Sequence, residues 1–466
     1  MKIIDRIKNK EIKCAVIGLG YVGLPLLCEI VKAGYEAVGI DVSEEKVDSI
    51  NKGVSYIQDV PTKELASLVK TGKLIATTDY AVLAECDAIS VCVPTPLRKS
   101  KEPDISYIVS ASDEVAKYLR KGQLIILEST TYPGTTEELV LPILNGEFHE
   151  HEHEEIFTST CTHATKKVVN GNEGAIDASC AVCTEESLKI GEDFFLAFSP
   201  ERVDPGNPDF KTRDIAKVIG GITPACSQAA AAYYGELFPK MVPVSTARAA
   251  EMVKLLENTF RSVNIALANE MSLMSDVLDV DIWEVINAAA TKPFGFMPFY
   301  PGPGLGGHCI PIDPLYLTWK ARLKGFEAKF IELASEVNQK MPAHIVRKVQ
   351  DLLNEKGRSL RGSNVVIVGV AYKEDVSDTR ESPALEIIKI LRQKGAEVFY
   401  HDPYVASIGK NGLRMQSIEL SDAAIKGADC VVITTAHKCV NYDVIKNNNK
   451  AIIDTRNILK SVTSNS

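Results

Sequence analysis

The stretch KCAVIGLGYVGLP (13–25) decides the fold. An apolar run, KCAVI, enters a G-x-G-x-x-G at 18–23, and an apolar segment with helical spacing follows from Leu24 to Ala33. EAVGID (36–41) then reads as a second strand that ends in an acid, Asp41. Strand, glycine turn, helix, strand and carboxylate in this order are the parts of a dinucleotide-binding βαβ unit. Gly18 permits the tight turn, Gly20 lets backbone approach a pyrophosphate, and Gly23 lets the helix pack close to the strand. Tyr21 and Val22 complete the turn ahead of a helix N-terminus whose unpaired N–H groups and dipole favour phosphate. Asp41, eighteen residues past Gly23, can bind both hydroxyls of an adenosine ribose and repels a 2′-phosphate, so NAD is expected rather than NADP. The plainer alternative is a turn of the same shape with no cofactor.

Working outward, DAISVCVPTP (87–96) and QLIILESTT (123–131) are further buried-strand runs that end in small polar residues. Ligands of open α/β sheets gather at such carboxyl ends. Pro94, Thr95, Ser129 and Thr130 are therefore candidates to face the cofactor, with ordinary strand-end capping as the alternative. FFLAFSPERVDPGN (194–207) is another strand, with Glu201 at its mouth. After KVIGG (217–221) the alternation stops, and residues from about 246 to 290 read as long helix with a break near Asp279. Lys254, Asn258 and Arg261 share one helical face there. That polar stripe is either a solvated surface or the supply of a cation and an amide to a reacting oxygen.

Strand signals resume at SNVVIVG (363–369), AEVFYHDP (396–403), ADCVVITT (428–435) and AIIDT (451–455). The first of these runs into GVAYKED, without a G-x-G-x-x-G, so this second unit is expected to hold something other than a dinucleotide. Lys373 and Arg380 near its first strand either meet phosphates or are surface charges. The expected architecture is α/β: two Rossmann-like doubly wound parallel-sheet domains joined by a central long-helix domain. The boundaries are drawn at 1–243, 244–338 and 339–466.

Bulk properties fit this reading. A chain of 466 residues predicts two or three domains. A net charge of -9 argues against a nucleic-acid partner. No run approaches the ~20 apolar residues of a membrane span. The N-terminus lacks the apolar core of a signal peptide, so a cytoplasmic location is expected, with the eleven cysteines as free thiols.

One of those cysteines has an unusual setting, GPGLGGHCIPIDP (302–314). The glycines allow the loop to fold close around a ligand, its composition is not that of a core segment, and His308 when charged can lower the pKa of Cys309. A dehydrogenase that takes an alcohol to an acid benefits from such a thiol. The first oxidation gives an aldehyde, and a thiolate adds to it to form a thiohemiacetal that can be oxidised again. The alternative for any single cysteine is a small buried hydrophobe.

The motifs GLGYVGLP, CVPTP, STTYPGTT, SPERVDPGN, EMVKLLENT, GPGLGGHCIPIDP and GVAYKEDVSDTRESP, in that order, resemble the UDP-glucose/GDP-mannose dehydrogenases. GGHCIP-x-DP with SPERVDPGN resembles the branch that acts on UDP-N-acetylhexosamines (mannosamine or glucosamine) for surface polysaccharide precursors. The resemblance implies four-electron oxidation at C6, with Cys309 as nucleophile. It implies Lys254 and Asn258 as stabilisers of alkoxide and oxyanion, and Asp313 as the residue that positions or activates water. It further implies Thr130 and Glu201 in the same site, with Glu201 in the acid–base relay, and Arg202, Arg261, Gly306, Gly307, Lys373 and Arg380 as substrate contacts. A UDP-sugar-binding C-terminal domain and a homodimer built on the central helices follow from the same likeness. UDP-glucose enzymes carry a lysine where this chain has Ile312, and a second glutamate where it has Pro205; both differences point away from UDP-glucose.

Other readings remain: a UDP-glucose 6-dehydrogenase, a two-electron hydroxyacid-type dehydrogenase, or a non-catalytic nucleotide-sugar or redox sensor. Residues 149–191 form an insertion with His149, His151, His153, His163, Cys161, Cys180 and Cys183. It is read as an unliganded polar loop, with zinc on Cys161, Cys180, Cys183 and His163 as the alternative.

Overall fold

The computed structural model describes residues 3–461 apart from 58, 99–101, 148–187, 204–211, 308, 410–411 and 449–450. The chain divides into two compact units, one of Met1–Thr95 with Asp104–Met252, the other of Pro96–Pro103 with Val253–Ser466.

Among the described residues, eight strands form the sheet of the first unit: β1 (Lys13–Ile17), β2 (Glu36–Ile40), β3 (Leu74–Thr77), β4 (Ala88–Val91), β5 (Leu124–Leu127), β6 (Phe195–Phe198), β7 (Lys217–Gly221) and β8 (Met241–Pro243). Their order is β3-β2-β1-β4-β5-β6-β7-β8, and the first six are parallel. The order reverses beside β1, which opens a crevice at the carboxyl ends of β1 and β4. Two features depart from the sequence reading. β7 runs antiparallel to β6, so the sheet is mixed at that edge, and strand structure continues past KVIGG into β8. β1, β4 and β5 are buried along nearly their whole length, which is why they read as continuous apolar runs rather than alternating ones. The Gly23–Lys32 helix buries Leu24, Leu26, Leu27, Ile30 and Val31. Each such side chain stabilises the fold by about 1.5–3 kcal/mol relative to exposure.

In the second unit the Ala247–Leu278 helix, which starts in the first, leads to Ile282–Ala290 through Asp279, whose φ of 54° breaks the helix where the sequence suggests. Asp281 then caps the next helix by accepting the Trp283 N–H at 3.0 Å. The Asp313–Leu323 and Lys329–Glu355 helices follow. The second sheet contains β9 (Asn364–Val368), β10 (Glu397–His401), β13 (Cys430–Ile433) and β14 (Ile452–Asp454) in the order β10-β9-β13-β14, all parallel. A short hairpin of β11 (Ser407–Ile408) and β12 (Met415–Gln416), which pattern reading does not find, lies between β10 and β13. Asp402 after β10 takes the place that Asp41 has after β2. Its carboxylate accepts the N–H groups of Val370 and Ala371 at 2.7 and 3.0 Å, and the His437 ring lies 3.0 Å away.

Candidate active site

In the first unit the glycine turn has the geometry its spacing implies. Gly18 has φ +89°, and a Cβ there would meet the Cys92 carbonyl oxygen at 2.6 Å. A Cβ on Gly23 would lie 1.8 Å from the Gly18 carbonyl oxygen, whereas a Cβ on Gly20 meets nothing within 4 Å. The turn is thus packed on the protein side and open where a pyrophosphate would sit. The helix behind it has no side-chain cap at Val22, and the Leu24 N–H donates to the Gly20 carbonyl at 3.1 Å. Tyr21 is half exposed at the turn.

Asp41 is buried, and its carboxylate accepts the Leu19 N–H (2.9 Å), the Ser43 N–H (3.0 Å) and the Lys46 ammonium (2.8 Å). Lys46 had no role in the sequence reading. Thr95, four residues past the end of β4 and preceded by Pro94, is buried. The Ser129 hydroxyl donates to the Val93 carbonyl at 2.8 Å, so it ties the end of β5 to the end of β4 as a strand cap does. Thr130 precedes a tight turn in which Thr131 and Thr135 share a 2.6 Å hydrogen bond. Glu251 anchors that turn: its carboxylate accepts from the Gly134 N–H, from the Thr136 N–H at 2.8 Å and from the Thr136 hydroxyl at 2.7 Å. Burial pushes the Glu251 carboxyl up to about 7 against those hydrogen bonds. Glu201, just past β6, is buried in the same unit, and one of its oxygens accepts the N–H groups of Arg202 and Val203 at 2.8 and 2.9 Å. The Arg202 guanidinium donates to the Ala216 carbonyl at 2.8 Å, which pins the turn to the approach of β7.

The second unit gathers the cysteine group. Lys254, Asn258 and Arg261 project from one face of the long helix, and Asp313 is buried at the start of its own helix. Asn258 donates to the Asp313 carboxylate at 2.6 Å. The Ile312 and Asp313 N–H groups donate to the Cys309 carbonyl at 3.0 and 2.8 Å, closing the chain into the helix. Burial pushes the Cys309 thiol up, while Lys254, then Arg380 and Arg261, pull it down. Burial likewise pushes Asp313 up to about 6 against the Lys254 charge and the Asn258 hydrogen bond. Of the polar stripe, Lys254 and Asn258 are half-buried and Arg261 is exposed. His308, expected to act on this thiol, lies outside the described residues.

The loop before Cys309 is packed, although its composition is not that of a core segment. Pro301, Gly302, Pro303 and Gly307 are buried. The Gly302 N–H donates to Asn269 Oδ1 at 2.9 Å, Asn269 Nδ2 donates to Asn338 Oδ1 at 2.8 Å, and Asn338 Nδ2 donates to the Ser262 carbonyl at 3.2 Å. Gly307, at φ +87°, donates its N–H to the Arg380 carbonyl at 3.0 Å, and a Cβ there would meet the Tyr372 ring at 2.9 Å. Gly306 packs on Tyr372 and Pro383. The glycines buy close packing of backbone on protein, not mobility. Arg380 pairs with Asp378 at 2.6 Å, and Lys373 is half-buried in the same segment. A cleft of about 840 Å³ opens in this unit, lined by Arg98, Ser262, Ile312, Leu315, Arg380 and Ser382 among others.

Arg456 went unnoticed in the sequence. Its Nε donates to the Thr434 carbonyl at 2.8 Å, and a Cβ on Gly302 would meet its guanidinium at 2.9 Å. The only signal was an arginine just past a strand's carboxyl end. The histidines and cysteines of the insertion fall outside the described residues, apart from which no cluster of three metal-ligating side chains occurs among the described residues. The eight described cysteines are all free thiols. No helix among the described residues is long and apolar enough to cross a membrane.

Comparison with known proteins points to one family. Residues 12–238 match the NAD-binding domain of the UDP-glucose/GDP-mannose dehydrogenase family, residues 248–340 its central domain and residues 366–461 its UDP-binding domain. The chain is 33% identical over 456 residues to the UDP-N-acetyl-D-mannosamine dehydrogenase of Pyrococcus horikoshii, covering 96% of each. It is 32% identical over 430 residues to the UDP-N-acetyl-D-glucosamine 6-dehydrogenase of Pseudomonas aeruginosa, covering 92% of this chain and 91% of that one. Among solved structures, the Pyrococcus horikoshii UDP-D-ManNAc dehydrogenase superposes with a TM-score of 0.77 at 32% identity, covering 96% of each chain. The Staphylococcus aureus UDP-N-acetyl-mannosamine dehydrogenase does so with 0.73 at 31% identity, covering 96% of this chain and 95% of that one. With three consecutive domain matches and a third of its residues shared with full-length relatives, the chain belongs to the UDP-glucose/GDP-mannose dehydrogenase family and is an NAD-dependent oxidoreductase.

Proposed function

We propose that the protein oxidises a UDP-N-acetylhexosamine at C6 to the corresponding uronate in two successive two-electron steps, with Cys309 as covalent nucleophile. The observation that carries this reading is the group formed by Cys309, Lys254, Asn258 and Asp313, with Asn258 2.6 Å from Asp313 and Lys254 the leading positive charge on the thiol. NAD, when bound, supplies the hydride acceptor for each step. Gly18, Gly20, Tyr21, Val22 and Gly23 would cradle its pyrophosphate, and Asp41 would take the adenosine ribose.

The roles of the side chains follow from their charges. Lys254 stabilises the alkoxide that develops at C6 and, later, the oxyanion of each tetrahedral species. The Cys309 sulfur adds to the aldehyde, forming a C–S bond in a thiohemiacetal. Loss of a second hydride turns that adduct into a thioester. Water, positioned by Asp313, cleaves the C–S bond, releases the carboxylate and returns the thiol. Asn258 orients the Asp313 carboxylate. Glu201 serves the acid–base relay, and Thr130 lines the site. Arg202, Arg261, Gly306, Gly307, Lys373 and Arg380 bind the substrate.

The choice of UDP-N-acetylhexosamine is supported by the names of the relatives and by Ile312, which stands where UDP-glucose enzymes carry lysine. A surface-polysaccharide precursor as product and a cytoplasmic location complete the reading. A homodimer is supported by a stripe on the long helix. Leu256, Phe260, Leu267, Met271, Met274 and Leu278 are exposed and, at 100° per residue, fall on one face suited to a second copy of the same helix.

The deciding experiment measures NADH and uronate on UDP-N-acetylmannosamine, UDP-N-acetylglucosamine, UDP-N-acetylgalactosamine and UDP-glucose, for wild type and Cys309→Ser. Two NADH per uronate are expected from a UDP-N-acetylhexosamine, and no net uronate from the variant. One NADH per sugar would make it a two-electron dehydrogenase, and no turnover on the panel would favour a sensor.

A further inference from the structure

A buried charge cluster in the first unit joins Glu201 to two residues, Lys217 and Glu128, that have no part in the scheme above. Lys217 opens β7, and its side chain is buried. Its ammonium lies 2.6 Å from Glu128 Oε2, at the end of β5, and 3.1 Å from Glu201 Oε2. The other Glu128 oxygen accepts the Tyr234 hydroxyl, from the Pro224–Gly235 helix. The Lys217 ammonium also sits 5.2 Å from the centre of the Tyr234 ring and 5.5 Å from that of Phe238.

A lysine is almost never fully buried without partners, and here two carboxylates flank one ammonium. With all three ionised the cluster carries one net negative charge away from water. Glu201 is the member at the mouth of the sheet. One of its oxygens is held by Lys217, the other by the N–H groups of Arg202 and Val203. Both oxygens are therefore fixed in direction before any substrate arrives.

We propose that Lys217, braced by Glu128 and Tyr234, is a positioning residue that holds Glu201 ionised and oriented for its acid–base work. The inference rests on the reading of Glu201 as a group that acts on substrate. Lys217 acts on the reaction only through Glu201, and Glu128 tunes how much of the Lys217 charge Glu201 receives. The charged and titratable groups facing Glu201 in this cluster are Lys217, Glu128, Tyr234 and, on its own turn, Arg202. Burial works against the Lys217 charge, yet Glu128 and Glu201 together hold its pKa above the ordinary lysine value, so the ammonium persists across the working pH range. Burial, then Glu128, keeps Tyr234 protonated as a donor.

The two neighbours predict opposite shifts. Removing the cation in Lys217→Met leaves Glu201 beside another buried carboxylate, so protonation of Glu201 becomes easier and the acidic limb of the kcat profile moves to higher pH. Removing the competing anion in Glu128→Gln gives Glu201 the whole Lys217 charge, so the limb moves to lower pH. The titration of Asp313 is common to all variants and cancels in the comparison. The expected results, on the UDP-N-acetylhexosamine that the wild type oxidises, are a kcat loss of about tenfold or more in Lys217→Met with KM changed less than about twofold, and recovery of most of it in Lys217→Arg. Limb shifts of the same sign in Lys217→Met and Glu128→Gln, or none in either, overturn the proposal. If Lys217→Met does not fold, the Glu128→Gln shift and the Lys217→Arg rate decide alone. Full activity in Glu201→Gln would instead remove the role of Glu201 and the proposal with it; a large loss there with unmoved limbs removes only the proposal.

Discussion

At the scale of single residues, the proposed chemistry divides between a thiol and a carboxyl that burial pushes in the same direction. Burial favours the Cys309 thiol over its thiolate, so in the proposed scheme its attack waits on a base and on the Lys254 charge. Asp313, raised to about 6, is ionised at neutral pH and available to water. Asp313→Asn should therefore uncouple the two oxidations from hydrolysis. The expected outcome is a burst of two NADH per chain followed by a steady rate lowered by about 10²- to 10⁴-fold, with the sugar acid trapped on Cys309 in the intact mass spectrum. A steady rate like that of wild type would remove Asp313 from the hydrolytic step. Legibility at this scale was uneven. Cys309, Asp313 and Asn258 were visible in their motifs, whereas Lys46, Lys217, Glu251 and Arg456 were not, because a lone charge next to a strand or in a helix has no local pattern that separates surface from interior.

At the scale of elements, the glycine turn offers two substitutions with opposite consequences. Gly18→Ala forces a positive φ on alanine and a Cβ 2.6 Å from backbone oxygen, so a loss of about 1–3 kcal/mol in chemical denaturation is expected. Gly20→Ala meets nothing within 4 Å, so stability should hold within about 0.5 kcal/mol while NAD affinity falls, as read by fluorescence titration. Equal destabilisation by both would refute the view that the second glycine is kept for the ligand. In the other unit, the amide chain from Gly302 through Asn269 to Asn338 fixes the cysteine loop on the long helices. Asn269→Ala leaves the Gly302 N–H and the Asn338 amide short of partners and should cost about 1–3 kcal/mol, with slower modification of Cys309 as no part of the expectation; a denaturation midpoint equal to wild type argues against the anchor.

At the scale of the whole molecule, stability should respond to pH through Glu251. Its folded pKa is about 7 against an ordinary 4.5, so the folded state binds the proton more tightly than the unfolded state. Stability is then fully present below about pH 4.5 and is lost as pH rises through about 7, by about 3 kcal/mol in total for this one group. Urea denaturation from pH 5 to pH 8 reads that slope, and Glu251→Gln should flatten it; a variant with the slope of wild type would locate the dependence elsewhere. For the proposed dimer, Leu267→Glu with Met274→Glu puts charges on the exposed stripe. Light scattering should then show the mass of a single chain, against twice that for wild type.

The sequence by itself determined most strands of the two parallel sheets, the long helix with its break, the glycine turn with its acid, the absence of that turn from the second unit, and the place of the cysteine loop in the chain. Each of these is written in residues adjacent along the chain, where periodicity and steric freedom act locally. Only the tertiary structure decided that β7 reverses, that the cysteine loop is packed rather than exposed, and that Lys217 joins Glu128 to Glu201. Those outcomes depend on which distant segments share a buried space, and the cost of desolvating a charge or closing a gap is set by neighbours that no local pattern names.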